Sequence, residues 1–341
     1  MRTVVVRCDG TPEGGLGHLV RSVSVANAAR QAGWSALIAG DVTSPFGRRL
    51  VADASLEVVP APRNPGELVT RHQADVIHVD DYDEGDGALQ AVRASGAILS
   101  SMEDGPFGRR PADVAIDSTV DAEAVVRPAD GTGVLLRGIE FAPMRDDIRR
   151  ARQQRAEAPV NPGADGLDVV VVLGGSDATG SAAVVAAVCA QASGVRSVSV
   201  IAPAAGWDGI RAAAGSSVQL LEPSADFPSR AARAHLVVSA ASTTAWELAC
   251  IGVPAVVIPV VDNQLIGYEA MLRRGIARGI GTIDDVRSEP ERARAALEAH
   301  VSELIDGRSW AATGRAAVDG LGAQRIVRSW DLLAGTGPVA R

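Results

Sequence analysis

The sequence predicts an α/β protein built from two doubly wound, Rossmann-like domains facing a cleft. Three observations lead there. Short Val-, Leu-, Ile- and Ala-rich runs alternate with helix-length segments along nearly the whole chain. The runs are continuously apolar, as strands buried on both faces of a parallel sheet must be. The alternation also stops once, in a polar stretch near residues 149–166, and starts again. A chain of 341 residues is long for one domain and comfortable for two.

The elements follow in order. Val4-Val5-Val6 opens as a strand ending in Arg7-Cys8-Asp9, and a Gly-rich loop leads into a helix predicted from His18 to Ala32, closed by Gly33. Leu19, Val23 and Ala26 give that helix an apolar stripe. Further strands are predicted at 36–39, 56–59, 75–80, 97–100, 113–116 and 134–136. Residues 1–150 form the first domain on this reading. Residues 151–167, charged and then rich in Pro and Gly, read as a linker. Residues 168–341 form the second domain, with strands at 168–173, 197–201, 218–221, 236–239 and 255–258. After Ser288 the chain reads as Arg-rich helix that frays into Ala-Gly-Thr-Gly-Pro.

Composition excludes several functions. The net charge of −8 disfavours a nucleic-acid surface. All 33 basic residues are Arg, so neither a lysine Schiff base nor a Walker lysine is available. Cys8, Cys189 and Cys250 are far apart without a CxxC, which suits buried thiols in a reduced compartment. With no signal-like segment at Met1 to Cys8 and no apolar run of ~20 residues, a cytoplasmic protein without a membrane span is expected. No HExxH or Cys/His cluster is present, and neither a metal nor another cofactor is expected.

In open α/β sheets, ligands lie at the carboxyl ends of strands. The first such loop, Asp9 to His18, holds Gly15 and Gly17, which let backbone approach a ligand. The helix start beyond it favours an anion, and His18 sits there as a candidate base. A tight strand-to-helix turn would read the same way. Asp80-Asp81-Tyr82-Asp83-Glu84 could bind a metal, act as acid or base, accept sugar hydroxyls, or simply be a solvated turn. Glu103-Asp104 is a similar acidic loop. In the second half, Gly174-Gly175-Ser176-Asp177 follows a strand and can cap the next helix. Ser239 to Leu248, with Ser242 and Thr243 at a helix start and Glu247 one turn in, suits a diphosphate and a ribose, or ordinary capping. Asn263 and Gln264 follow the strand after it.

Taken in order, Gly15-Leu16-Gly17-His18-Leu19-Val20-Arg21, Asp80-Asp81-Tyr82, Gly174 to Asp177, Ser239 to Glu247 and Asp262-Asn263-Gln264 resemble the pseudaminic-acid-pathway nucleotide-sugar hydrolases and the related spore-coat polysaccharide proteins. The likeness spans about residues 1–280. The resemblance implies a GT-B fold, like that of the peptidoglycan N-acetylglucosaminyltransferase. It implies a UDP-linked sugar as substrate, water attack at the anomeric carbon, and release of a free amino or deoxy sugar with a nucleoside diphosphate. His18, Asp9 and Tyr82 would be the catalytic group. Gly15, Gly17, Arg21, Asp81, Asp104, Gly175, Ser176, Ser242, Thr243, Glu247, Asn263 and Gln264 would bind substrate. A GT-B glycosyltransferase using the same base, and a non-catalytic nucleotide-sugar-binding protein, are the alternative readings. Sugar, acceptor and oligomeric state are left open by the sequence.

Overall fold

The computed structural model describes residues 1–11, 16–162, 165–174, 177, 179–224 and 226–335. It divides into two compact units, Met1–Arg145 with Gly320–Arg341, and Asp146–Asp319.

The first unit is one parallel sheet of seven strands: β1 (Thr3–Arg7), β2 (Ser35–Ala39), β3 (Glu57–Val59), β4 (Val76–Val79), β5 (Ile98–Glu103), β6 (Val114–Asp117) and β7 (Val134–Arg137). Their order in space is β3-β2-β1-β4-β5-β6-β7. Helices α1 (Gly17–Gln31), α2 (Pro45–Asp53), α3 (Gly66–His72) and α4 (Ala88–Ala94) connect the first five strands. Both sheet faces are covered, which is why the strands read as unbroken apolar runs. Val4, Val6 and Cys8 pack with Leu19, Val23 and Ala26 of α1 on one face. Val5, Ile77 and Leu99 pack with Leu68 of α3 and Val92 of α4 on the other. The strand order reverses between β1 and β4, so the loops leaving those two strands diverge and open a crevice there.

The last helix of the chain, α14 (Gly322–Gly335), belongs to this first unit. Its buried Ala323, Ile326, Val327 and Trp330 fall at helical spacing and complete the α1 face of the core. Asp331 fastens it, accepting from Arg2 at 2.7 Å and from the Trp34 indole at 3.2 Å. The second domain expected to run to residue 341 therefore ends earlier.

His78, inside β4, is fully buried against Trp330, with ring centroids 5.3 Å apart. Its Nδ1 meets Ser100 Oγ at 3.0 Å, while Nε2 has no partner among the described residues. Burial pushes its pKa down from 6.5 to about 4. The unfolded chain then binds a proton that the folded chain refuses between those two values. Stability should therefore be full above pH 6.5 and fall by up to about 3 kcal/mol as the pH drops toward 4. Denaturant unfolding from pH 7 to 4.5 checks this; His78→Leu should flatten the slope over that window, and an unchanged slope would contradict the assignment.

The second unit begins with α5 (Asp146–Glu157), where the sequence predicted the start of a linker. Its arginines explain the difference. Arg152 donates to the carbonyls of Cys250, Arg315 and Val318. Arg155 donates to those of Ala232 and Ala234. What reads as linker charge thus satisfies carbonyl groups at helix ends of the second unit. The unit's six parallel strands are β8 (Leu167–Val172), β9 (Val195–Ile201), β10 (Gln219–Leu221), β11 (Leu236–Ala240), β12 (Ala255–Ile258) and β13 (Arg278–Gly279), ordered β10-β9-β8-β11-β12-β13. Here the order reverses between β8 and β11. Helices α6 (Ala182–Gln191), α7 (Trp207–Ala214), α8 (Phe227–Arg233), α9 (Thr243–Ile251), α10 (Leu265–Arg273), α11 (Ile283–Ser288), α12 (Pro290–Ile305) and α13 (Ala311–Ala317) complete it. Val169 and Val171 of β8 pack with Val185 of α6 and Leu297 of α12, while α5 lies against α8 and α9. Two doubly wound parallel sheets with flanking helices are therefore present, as the sequence predicted.

Candidate functional site

At the β1/β4 crevice of the first unit, four sequence-predicted residues, His18, Arg21, Tyr82 and Asp104, form one hydrogen-bonded cluster with Asp80. His18 lies in the first turn of α1, where no described side chain caps the helix. Its Nδ1 contacts Asp80 Oδ1 at 2.7 Å. Asp80 directly follows β4 and is 1 % exposed. Arg21, one turn along α1, donates from Nε to Asp80 Oδ2 and from a terminal nitrogen to Asp80 Oδ1, both at 2.6 Å. Its other terminal nitrogen meets both oxygens of Asp104 at 2.9 and 2.8 Å. The Tyr82 hydroxyl donates to Asp104, and the Tyr82 ring meets the His18 ring edge-on, 4.5 Å between centroids at 88°.

Burial alone would raise the Asp80 carboxyl; the Arg21 guanidinium outweighs it and, with His18, holds the group well below the usual carboxylate range. Asp80 is therefore ionised and acts as acceptor. Nδ1 also lies 3.1 Å from the Arg21 terminal nitrogen that binds Asp80; the tautomer with its proton on Nδ1 is the one that donates to Asp80, and it presents the Nε2 lone pair as a proton acceptor. Burial and the Asp104 carboxylate push the Tyr82 phenol well above its ordinary value. Tyr82 is thus a neutral donor that orients Asp104 and walls His18; its proton is already committed.

The other predicted residues fall differently. Asp9 and Asp81 both close on Arg7, at 2.9 and 2.7 Å. Asp9 also accepts from the Asp41 amide at 2.8 Å, and Asp81 from that of Asp83 at 2.9 Å. Their carboxylates tie loops together, and the described contacts do not include the His18 cluster. Arg21 is buried and committed to two carboxylates, which it holds in place beside His18. Glu103 is buried against Arg127 at 2.9 Å. Gly17 is the first residue of α1. Gly15, Gly175 and Ser176 lie outside the described residues.

Asp80 stands in the acidic loop that the sequence singles out, but without a role of its own; the role falls to Asp81 instead. The available signal was positional: Asp80 is the first residue past β4, beside the switch point, whereas Asp81 points the other way along an extended chain.

In the second unit, the β8/β11 crevice carries the other set. Asp177 caps α6, accepting from the Ser181 and Ala182 amides at 3.0 and 3.2 Å. After β11, Ser242 stands at the start of α9 with its backbone extended, yet its side chain accepts no capping bond and the first turn holds no acid. Ser239, fully buried at the end of β11, has a hydroxyl without a partner among the described residues. Thr243 is half-buried and Glu247, one turn in, is buried. Gln264 turns back to accept from the Val260 amide at 2.9 Å, whereas Asn263 is exposed. A helix start lined with hydroxyls and left without a carboxylate is a physical match for an anionic group. Among the described residues no group of three or more His, Cys, Asp or Glu is placed to hold a metal ion. No described helix is long and apolar enough to cross a membrane.

No family model and no curated protein matches this sequence. Solved structures do match its fold. Acinetobacter baumannii MurG superposes with a TM-score of 0.67 at 16% identity, over 97% of this chain and 100% of that one. The UDP-GlcNAc 2-epimerase from Neisseria meningitidis, bound to UDP-GlcNAc, gives 0.61 at 12% identity, over 98% and 100%. Glycosyltransferase VinC, in complex with dTDP, gives 0.61 at 16%, over 98% and 100%. The chain therefore has the GT-B fold.

Proposed function

We propose that this protein is an enzyme acting on a nucleotide-activated sugar, with the base in the first unit and the nucleotide held by the second. The observation that carries the reading is His18 fixed on buried, ionised Asp80 at the switch point of the first sheet. A non-catalytic binding protein has no need of an imidazole oriented in this way. The fold is one shared with structures solved with UDP-GlcNAc and dTDP, which supports a nucleoside diphosphate as ligand, and the hydroxyl-lined start of α9 is where we seat it. Ser242 and Thr243 would donate to the diphosphate, and Glu247 would accept from ribose hydroxyls.

The reaction we favour is hydrolysis. A water oxygen bonds to the anomeric carbon as His18 Nε2 takes its proton. The bond from that carbon to the diphosphate oxygen breaks, and the electron pair leaves on the diphosphate. The hydrolase resemblance of the motifs favours water as nucleophile. A transferase reading is favoured by the glycosyltransferases among the structural matches; there the same base takes the proton of an acceptor hydroxyl.

Product analysis separates them. Incubated with UDP- and dTDP-sugars in water alone, the protein should release free sugar and nucleoside diphosphate at about 1 per second or faster. Release orders of magnitude slower, with a glycoside formed once a cell extract is added, would establish the transferase. In the same assays Glu247→Ala should weaken UDP binding by ~1–3 kcal/mol, and unchanged affinity by calorimetry would remove Glu247 from the ribose site.

A further inference from the structure

We infer that Phe107, together with Tyr82, forms an aromatic seat for the apolar face of the sugar ring beside the His18 base. This rests on the nucleotide-sugar reading and adds a specificity residue that no motif pointed to. Three neighbouring strands each send a ring to one end of the sheet: His18 after β1, Tyr82 after β4 and Phe107 after β5. Tyr82 lies 4.5 Å from His18 and 6.1 Å from Phe107, centroid to centroid, and the two aromatic planes are tilted by 34°. The three rings thus form one continuous row ending at the base.

Phe107 is 38 % exposed, and aromatic residues make up only 3% of this chain. The turn that presents it is stiffly made. The Asp104 amide donates to the Phe107 carbonyl at 3.0 Å and the Phe107 amide to the Asp104 carbonyl at 3.2 Å. Gly105 takes φ +60° and its amide donates to the buried Asp117 carboxylate at 3.2 Å. Pro106 restricts the turn further. Gly108 takes φ +68°, and a Cβ there would lie 2.7 Å from Tyr82 Cδ1, so glycine is what lets the Tyr82 ring rest on this turn. The opposite end of the turn, Asp104, is the carboxylate that Tyr82 and Arg21 hold. Phe107 is therefore fixed relative to His18 through the same network that fixes the base.

A wall of this kind selects by chemistry. Asp80 and Asp104 are already engaged by Arg21, and the Tyr82 hydroxyl by Asp104. What the row offers a ligand is ring surface, which favours the C–H face of a pyranose over its hydroxyl edge. The attacking water and the anomeric carbon then lie at the His18 end.

Binding calorimetry in a His18→Ala background, which stops turnover, tests this with UDP, UDP-N-acetylglucosamine, UDP-glucose and dTDP-glucose. Phe107→Ala and Phe107→Leu should each weaken the nucleotide sugar that binds best by ~10-fold, while UDP affinity stays within about twofold. Phe107→Tyr should retain the binding. Leucine distinguishes the two roles, because a residue needed only to fill space beside Tyr82 tolerates it. Nucleotide-sugar affinity within twofold of the parent in the Leu variant overturns the seat, whatever the Ala variant does, as does a parent that binds UDP but no nucleotide sugar. A parent that binds neither nucleoside diphosphate nor nucleotide sugar instead overturns the functional reading beneath it.

Discussion

Replacing His18 by alanine is expected to lower turnover by ~10²–10⁴-fold with nucleoside diphosphate affinity almost unchanged. The expectation follows from the division of labour between the units. On the proposed reading His18 would touch the reacting atoms only through a proton, and Ser242 and Thr243, which would hold the diphosphate, belong to the other sheet. Asp80→Asn should do comparable damage for a different reason. An asparagine can turn its amide nitrogen toward Nδ1, which moves the imidazole proton to Nε2 and removes the lone pair that accepts a proton. The two single variants should then be far from additive, since each disables the same dyad. Steady-state kinetics on His18→Ala, Asp80→Asn and the double variant decide it. Near-normal turnover in either single variant would remove the dyad from the chemistry.

The physical reason Asp80 was harder to read than His18 is general. Adjacent acids in an extended segment alternate in direction, so a run such as Asp80-Asp81 contains one candidate for each side of the chain. Which one meets His18 depends on the pairing of β1 with β4, two strands separated by some 70 residues, and on Arg7 drawing Asp81 and Asp9 to itself. Local features were legible. Among the described residues, twelve of the thirteen strands lie where apolar runs predicted them, and the other, β13, is only two residues long, too short to carry a period. The early end of the second unit was not legible, because what decides it is long-range packing. Trp330 and Ile326 on α14 fill a core whose other walls are β1, β4 and α1. The charged stretch reads as a helix end running into a linker; the helix reaches Glu157, and what the sequence does not show is the distant carbonyls that its arginines meet.

Arg21→Ala is expected to destabilise the protein by about 3–5 kcal/mol, a large share of the ~5–15 kcal/mol that domains of this kind possess. The sequence suggests a ligand-binding arginine, but the side chain is buried and holds two carboxylates that have no other cation of comparable contact in the cluster. Burial works against the guanidinium charge; Asp104 and Asp80 reverse that and raise its pKa well above the ordinary value. Removing it leaves Asp80 ionised and desolvated beside His18 alone, and an uncompensated buried charge is what makes breaking such a pair costly. Lysine should recover little, because one ammonium cannot reproduce a fork that reaches two carboxylates from three nitrogens. The origin of the loss can be isolated. If it comes from the stranded carboxylates, then adding Asp80→Asn and Asp104→Asn to Arg21→Ala should restore about half of the lost stability, although each asparagine alone destabilises the parent. Denaturant unfolding of the parent, the single variants and the triple variant measures this. An Arg21→Ala loss below about 1 kcal/mol, or no recovery in the triple variant, would mean that the arginine is held for a ligand and not for the carboxylates it pairs with.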